Sequence, residues 1–379
     1  MEAYKMNYTV TLPSYSVGTD CYKEIPWVTR HFGKKAVVVG GKTAMEKAKP
    51  ELLKALEGTD VEILDFIWYG GNSTYENTEA LKNNPTVQAA DMVFGVGGGR
   101  AVDTCKVFCD QLDKPLFTFP TIASNCAASS SLAIVYNEDG SFCDFVHFLQ
   151  SAKHVFLDTE IVANAPVRFL WAGIGEAPEK LLWAGIGDAL SKECEVLLAT
   201  RGKELFHTPL MGAQLSRACT TPLVECGKKA LEDCRNGVAS YELQQVALDI
   251  IVSTGLVSNM TSGGDAYYYN SSLAHCVYYG ATMIHRAASH LHGEIVSFGV
   301  LCLLTYDGQL EERDRLMQFN KSVGLPICLA DMDLKPEDLP VMVKKASSVL
   351  EWTCVPYTMD GDRFIKAILD CDACGQKLK

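Results

Sequence analysis

The stretch that most constrains this chain is residues 93–106, Val-Phe-Gly-Val-Gly-Gly-Gly-Arg-Ala-Val-Asp-Thr-Cys-Lys. Val93, Phe94 and Val96 read as the end of a buried strand. Gly97, Gly98 and Gly99 then permit a tight turn whose backbone can approach a ligand without Cβ atoms in the way. From Arg100 the spacing is helical, so the turn and the helix N-terminus together offer free N–H groups to a phosphate or pyrophosphate. Such a turn also occurs as plain strand–helix packing. Asp103 and Lys106, three residues apart on one helix face, favour the anion-binding reading. The run is not the Rossmann fingerprint. Arg100 stands where a third small residue is needed, and the motif lies well beyond the first strand-like run at Lys35–Val39.

Around this motif, short apolar runs alternate with helical patterns. Residues 7–12 alternate like an edge strand, and Tyr22–Phe32 reads as a helix stopped by Gly33. Strands are predicted at Lys35–Val39, Val61–Phe66 and Pro115–Phe119, with helices at Thr43–Glu57 and Thr74–Asn83. Leu132–Tyr136, the turn Asn137–Gly140 and Phe142–Phe148 look like a hairpin extending the sheet. This alternation argues for a parallel sheet flanked by helices. Beyond Pro166, helical periodicity takes over: Ala184–Thr200, Glu204–Lys229, Asn236–Met260, Ser271–Ser289, Glu294–Tyr306, Glu311–Val323 and Pro340–Leu350. The expectation is an α/β nucleotide-binding domain over 1–163 and an all-helical domain over 164–379, with ligands in the cleft between them. A length of 379 residues suits two domains.

Composition excludes several classes. With 48% hydrophobic and 21% charged residues the chain is an ordinary globular protein. A net charge of −12 argues against nucleic acid and anionic membrane surfaces as partners. No apolar run is long enough for a membrane span, and Met1–Thr11 has no signal-peptide pattern. The 15 cysteines are scattered through hydrophobic stretches, which fits a reducing cytoplasm. Cys371-x-x-Cys374 reads as an incidental pair.

Residues 170–181 and 182–193 are a local tandem duplication: Leu-Trp-Ala-Gly-Ile-Gly occurs in both, followed by Glu176 in the first copy and Asp188 in the second. Asp188, His275 and His292 are candidate metal ligands, since three such ligands with an open position suit a catalytic Zn²⁺ or Fe²⁺. Four of the 8 histidines lie between 275 and 292. A histidine in a helix is also commonly structural. Glu176 could compete with Asp188, but Pro178 should disturb the helix that follows it.

Five motifs occur in order: Gly97-Gly-Gly-Arg-Ala-Val-Asp-Thr-Cys-Lys106, Pro120-Thr-Ile-Ala-Ser124, Ser130-Ser-Leu-Ala-Ile-Val-Tyr136, Ala184-Gly-Ile-Gly-Asp-Ala-Leu190 and His292-Gly-Glu-Ile-Val-Ser-Phe-Gly299. Together they resemble the iron-containing (group III) alcohol dehydrogenase superfamily, most closely its glycerol dehydrogenase branch, over nearly the whole chain. The resemblance implies a Rossmann-like α/β domain, a helical domain of the dehydroquinate synthase-like type, and a homo-oligomer. It places metal ligands at Asp188, His275 and His292. It places NAD(P) contacts at Gly98, Gly99, Asp103, Thr121, Ser124, Ser130, Leu132 and Tyr136, with Arg100 replacing the usual lysine. Four-ligand relatives carry histidine where this chain has Lys192, and dehydroquinate synthases carry glutamate at position 188.

Two further departures bear on specificity. Glycerol dehydrogenases hold the adenosine ribose with an aspartate where this chain has Gly41 followed by Lys42, so NADP(H) becomes admissible beside NAD(H). Polyol enzymes of the family also carry aspartate where this chain has Cys126. That substitution resembles the branch acting on 2-oxo and 2-hydroxy acids. The implied activity is metal-dependent, NAD(P)-linked hydride transfer to or from a small polyol or hydroxy acid, with zinc, or else iron, as Lewis acid. A proton relay could involve His285 or His290, which are otherwise structural. The rivals are a non-catalytic nucleotide-binding protein and a dehydroquinate synthase-like lyase.

Overall fold

The computed structural model describes residues 8–165, 169–171, 174–176, 178–264 and 266–379, with no side-chain description for 169–171, 174–176 and 178. It forms two compact units: residues 1–182 with 229–259, and residues 183–228 with 260–379. The change in composition near residue 163 marks where helices take over; the compact units part elsewhere.

The first unit is built on a six-stranded sheet in which Ser14–Gly18 forms one edge and is followed in order by His154–Asp158, Leu116–Pro120, Met92–Gly97, Lys35–Gly40 and, at the other edge, Glu62–Trp68. Its strands are β1 (Ser14–Gly18), β2 (Lys35–Gly40), β3 (Glu62–Trp68), β4 (Met92–Gly97), β5 (Leu116–Pro120) and β8 (His154–Asp158), all paired in parallel. Side chains alternate between faces, as a pleated strand requires. Ala36, Val38, Phe94, Phe117 and Phe119 pack with Ala48 and Leu52 of helix Lys42–Leu56 on one face. Val37, Val39 and Val93 pack on the other with Leu81, Cys105 and Phe108 from helices Tyr75–Lys82 and Gly99–Leu112. Phe119 and Phe156 stack at 4.8 Å inside the first of these layers.

Several sequence expectations are corrected. The edge strand is Ser14–Gly18, following rather than occupying 7–12; residue 7 lies outside the described residues. β6 (Leu132–Tyr136) and β7 (Phe142–His147) do form an antiparallel hairpin, but as a separate two-stranded sheet and not as an extension of the main one. β8, absent from the sequence reading, lies inside the sheet between β1 and β5; it is only five residues long, with an apolar run of just Val155, Phe156 and Leu157. Tyr22–Phe32 resolves into a 3₁₀ turn and the short helix Ile25–Thr29.

The long helical blocks are also subdivided. Ala184–Thr200 comprises the end of helix Pro178–Ala189 and helix Ser191–Thr200, and Glu204–Lys229 covers His207–Ser216 and most of Thr220–Arg235. Asn236–Met260 contains the π-helical turn Asp249–Ser253. Its Ile251 carbonyl accepts a hydrogen bond from Ser129 Oγ, and Asn259 Oδ1 accepts from Ser131 N at 2.8 Å. These bonds tie 229–259 to the first unit. In the second unit, helices Leu273–Ala281, His292–Asp307 and Gly361–Leu378 are prominent, the last unforeseen from sequence. Cys371 and Cys374 lie on that C-terminal helix, Cys371 buried, and all 15 cysteines are free. No helix among the described residues is long and apolar enough to cross a membrane.

Candidate active site

In the first unit, chain order reverses between β2 and β4. β3 lies to one side of that pair, while β5 and the rest lie to the other. Open parallel sheets bind ligands beyond the carboxyl ends of their strands at such a switch point. Gly40-Gly41 ends β2 there and Gly97-Gly98-Gly99 ends β4. Gly41 N donates to Val96 O at 3.3 Å, bringing the two turns together. Gly97 has φ +143°, a conformation that favours glycine, and a Cβ on Gly98 would sit 2.6 Å from Ile122 Cδ1. Helix Gly99–Leu112 starts immediately after, with no side chain capping it, which leaves its first-turn N–H groups for a ligand.

Beside this turn Thr121 N donates to Gly97 O at 3.3 Å, while the buried Thr121 Oγ1 has no hydrogen-bond partner among the described residues. A buried hydroxyl left unpaired is costly and marks a place where a ligand atom fits. Residues 41, 97–99 and 121 are thus gathered at one point. Lys42 lies exposed with its ammonium 4.4 Å from the centre of the Trp68 ring. Arg100 places its guanidinium 4.6 Å from the centre of the Tyr136 ring. Asp103 and Lys106 form a buried pair at 3.2 Å that faces β6 instead of the turn. Asp103 accepts from Ile134 N, and Lys106 donates to Leu132 O and to Ser130 Oγ. Burial raises the Asp103 carboxyl's pKa despite Lys106. Ser124 is half-buried in the segment after β5, as is Cys126, whose Cβ would lie 3.4 Å from a Cβ on Gly255.

The second unit brings Asp188, His275 and His292 together. One potential ligand atom from each lies within 4.8 Å of the others. Asp188 Oδ1 is 3.1 Å from His292 Nε2 and 3.7 Å from His275 Nε2. Backbone contacts between helices make this possible. A Cβ on Gly293 would fall 1.9 Å from Ala184 O, and one on Gly299 would fall 2.3 Å from Ala274 O. Glycine at those positions lets helix His292–Asp307 touch both the helix ending at Ala189 and helix Leu273–Ala281. Pro178 opens the first of these helices instead of disturbing it, as proline does at a first helical position. The side chain of Glu176 lies outside the described residues, so the choice between the two copies stays with sequence.

Sequence reasoning missed Glu195. Its carboxylate is fully buried, accepts from Ser272 N at 2.8 Å and His275 N at 3.0 Å, and faces His275 Nδ1 at 2.7 Å. The available signal was its spacing of seven from Asp188, two helical turns along. A carboxylate on Nδ1 fixes that nitrogen as the donor and leaves Nε2 as a lone pair aimed at Asp188, an arrangement frequent behind metal-bound histidine. Burial lowers the His275 pKa, but Glu195 and then Asp188 outweigh it and raise it. Burial likewise opposes ionisation of Asp188, yet His292 and His275 hold its carboxyl at about 2. The donor set is therefore an ionised carboxylate and two imidazoles, which fits a divalent transition metal. His290 is taken up by Glu294 at 2.8 Å and Asp333 at 3.1 Å; His285 begins the 3₁₀ turn His285–Ser289.

Comparison with known proteins agrees with this architecture. Residues 13–159 match the family described as Iron-containing alcohol dehydrogenase. Glycerol dehydrogenase of Escherichia coli O6:H1 is 30% identical over 376 residues, covering 96% of each chain. Hydroxycarboxylate dehydrogenase A of Escherichia coli K12 is 29% identical over 301 residues, covering 79% of this chain and 78% of that one. The crystal structure of glycerol dehydrogenase from Schizosaccharomyces pombe shares the fold with a TM-score of 0.82 at 23% identity, covering 98% of this chain and 92% of that one. This chain belongs to the iron-containing alcohol dehydrogenase family, in its glycerol dehydrogenase-like branch, and is an oxidoreductase.

Proposed function

We propose that this chain is a metal-dependent, NAD(P)-linked dehydrogenase that moves a hydride between the nicotinamide ring and the carbinol carbon of a small polyol or 2-hydroxy acid. The observation that carries the reading is the Asp188–His275–His292 cluster with Glu195 behind His275. Those three residues would hold the metal, zinc in preference to iron(II), leaving a position open for substrate. A metal bound there supplies a Lewis acid that polarises the substrate oxygen and lowers an alcohol's pKa.

The protein's own residues do the rest. Glu195 holds His275 Nδ1 as a donor and so presents Nε2 as the nitrogen for a metal, and Asp188 contributes its ionised carboxylate. The Gly97–Gly99 turn, the first turn of helix Gly99–Leu112 and Thr121 Oγ1 would take the cofactor's pyrophosphate, with Arg100 adding charge and Ser124, Ser130, Leu132 and Tyr136 bordering the same segment. Asp103 would act by fixing β6 through Ile134 N. Gly41 and Lys42 would face the adenosine ribose, where a lysine in place of a carboxylate tolerates a 2′-phosphate. Cys126 removes a negative charge from the substrate segment, so a carboxylate substrate meets no like-charge repulsion there. The free cysteines support a reducing compartment, the cytoplasm, and the family resemblance supports a homo-oligomer.

The test is NAD(P)H absorbance with glycerol, 1,2-propanediol and 2-oxo acids, alongside metal analysis of the wild type and of His275→Ala and Cys126→Asp. We expect stoichiometric zinc, lost in His275→Ala together with turnover. Reduction of 2-oxo acids should compete with glycerol oxidation and weaken in Cys126→Asp. Full metal occupancy in His275→Ala, or no cofactor turnover with any substrate, would reject the reading.

A further inference from the structure

Lys192 lies four residues beyond Asp188, on the helix that also carries Glu195. It is only 8% exposed, unusual for a lysine without an ion-pair partner. Its ammonium donates to Asn270 Oδ1 at 2.8 Å and forms no ion pair among the described residues. One of its three N–H groups is therefore satisfied by a neutral amide oxygen, and the other two have no acceptor among the described residues. Asn270 Oδ1 also accepts from Thr261 Oγ1 at 3.4 Å, which steadies the acceptor and so the ammonium.

Lys192 stands one helical turn beyond Asp188, and Asn270, which it holds, is two residues before Ser272, whose N–H is bound by the same Glu195 that faces His275. Its positive charge favours the ionised Asp188 and opposes protonation of His275, whose pKa Glu195 and Asp188 nonetheless raise. Once a divalent ion is held, Asp188 and Glu195 offset its two charges, so that Lys192 leaves this group of residues with one net positive charge; Glu351, which accepts a hydrogen bond from Ser271, is the next carboxylate beside the same segment. A neutral diol does not remove that excess on binding. A carboxylate does.

We propose that Lys192 receives the carboxylate of a 2-oxo or 2-hydroxy acid and so selects anionic substrates over neutral polyols. This rests on the metal-site reading given above. The competing role is purely architectural: Lys192 would pin the segment that carries Asn270 and Ser272, and through it Glu195.

The experiment uses the zinc-loaded full-length enzyme, with Lys192→Met and Lys192→Arg as variants. Methionine fills a similar volume without charge; arginine keeps the charge. Calorimetry measures zinc affinity in each apo-protein, then the affinity of each loaded enzyme for oxamate, an analogue of pyruvate. Loss of a buried charge partner should weaken oxamate binding by about tenfold or more in Lys192→Met, with arginine restoring most of it. Zinc should bind Lys192→Met at least as tightly as wild type, because a repelling cation is gone. The ratio of kcat/KM for pyruvate to that for glycerol should fall in parallel with oxamate affinity. Unchanged oxamate affinity in Lys192→Met overturns the proposal. Zinc binding weakened together with oxamate binding in both variants overturns it in favour of the architectural role. A wild type that takes up no zinc rejects the metal-site reading itself, and this inference with it.

Discussion

Gly187 stands against Gly293 with no room for a side chain between them: a Cβ on Gly187 would lie 2.3 Å from Gly293 O. That backbone contact is what allows the neighbouring residues, Asp188 and His292, to meet at 3.1 Å. Gly293→Ala would place a methyl group 1.9 Å from Ala184 O and force the two helices apart. We expect a loss of about 2–3 kcal/mol in stability and a larger fractional loss of bound metal. Thermal unfolding with elemental analysis checks this, and a variant with wild-type metal content would show that the contact does not set the ligand spacing.

Glu195→Gln should weaken metal binding without unfolding the chain. One carboxylate oxygen accepts two backbone N–H groups while the other faces His275 Nδ1. A glutamine amide must turn its NH₂ toward one of these donors and lose that bond. Removing such a carboxylate from behind a metal-bound histidine typically costs 10–100-fold in affinity, on the order of magnitude expected here. Zinc titration of the apo-protein reads the effect directly. Equal affinities would mean that Glu195 serves only to hold the segment 272–275.

The cofactor preference should respond to Gly41→Asp. Gly41 has ordinary extended geometry with φ −70°, and a Cβ there would make only normal contacts of 3.7 and 3.8 Å, so the variant should fold. Wild type is expected to use NADPH at least comparably to NADH. The added carboxylate should shift the ratio of kcat/KM toward NADH by roughly tenfold or more, through repulsion of the 2′-phosphate. A wild type already selective for NADH, unmoved by the substitution, would show that this turn does not read the ribose.

Stability should fall in mild acid through His154. This residue is buried in β8 with Nδ1 2.7 Å from Ser14 Oγ and Nε2 2.9 Å from Ser16 Oγ, across the pairing with edge strand β1. Burial lowers its pKa to about 4 from an ordinary 6.5. Between those values the unfolded chain binds a proton that the native chain refuses, so the contribution is complete above pH 6.5 and is lost as pH falls toward 4. Thermal midpoints measured from pH 7 to pH 4 should decline less steeply in His154→Gln than in wild type. Parallel curves would assign the acid sensitivity to other groups.

Much of the first unit was legible locally. The alternation of β2, β3, β4 and β5 with helices, the Gly97–Gly99 turn and the helix after it each follow from a few adjacent residues. The metal-ligand candidates were named from their residue types together with the family resemblance carried by the motifs around Asp188 and His292. The sequence alone did not reveal Glu195, whose partner His275 is 80 residues away, nor the return of 229–259 to the first unit through Asn259. Asp103 and Lys106 were correctly placed on one helix face, but what that face meets is β6, decided by packing.

The duplication separates the two levels most clearly. Leu-Trp-Ala-Gly-Ile-Gly is written twice, at 170–175 and at 182–187. The first copy contributes to the paired strands Phe169–Trp171 and Ile174–Glu176, while the second lies inside helix Pro178–Ala189. Identical residues have identical intrinsic preferences, so preference cannot have made the choice. In the second copy, Trp183 Nε1 donates to Val323 O at 3.1 Å and Gly187 seats on Gly293. Those contacts reward a helix there, and they exist only once the surrounding helices have assembled. The sequence determined that an acidic residue follows Gly-Ile-Gly in both copies; packing decided that the second copy is helical and sets Asp188 beside two histidines.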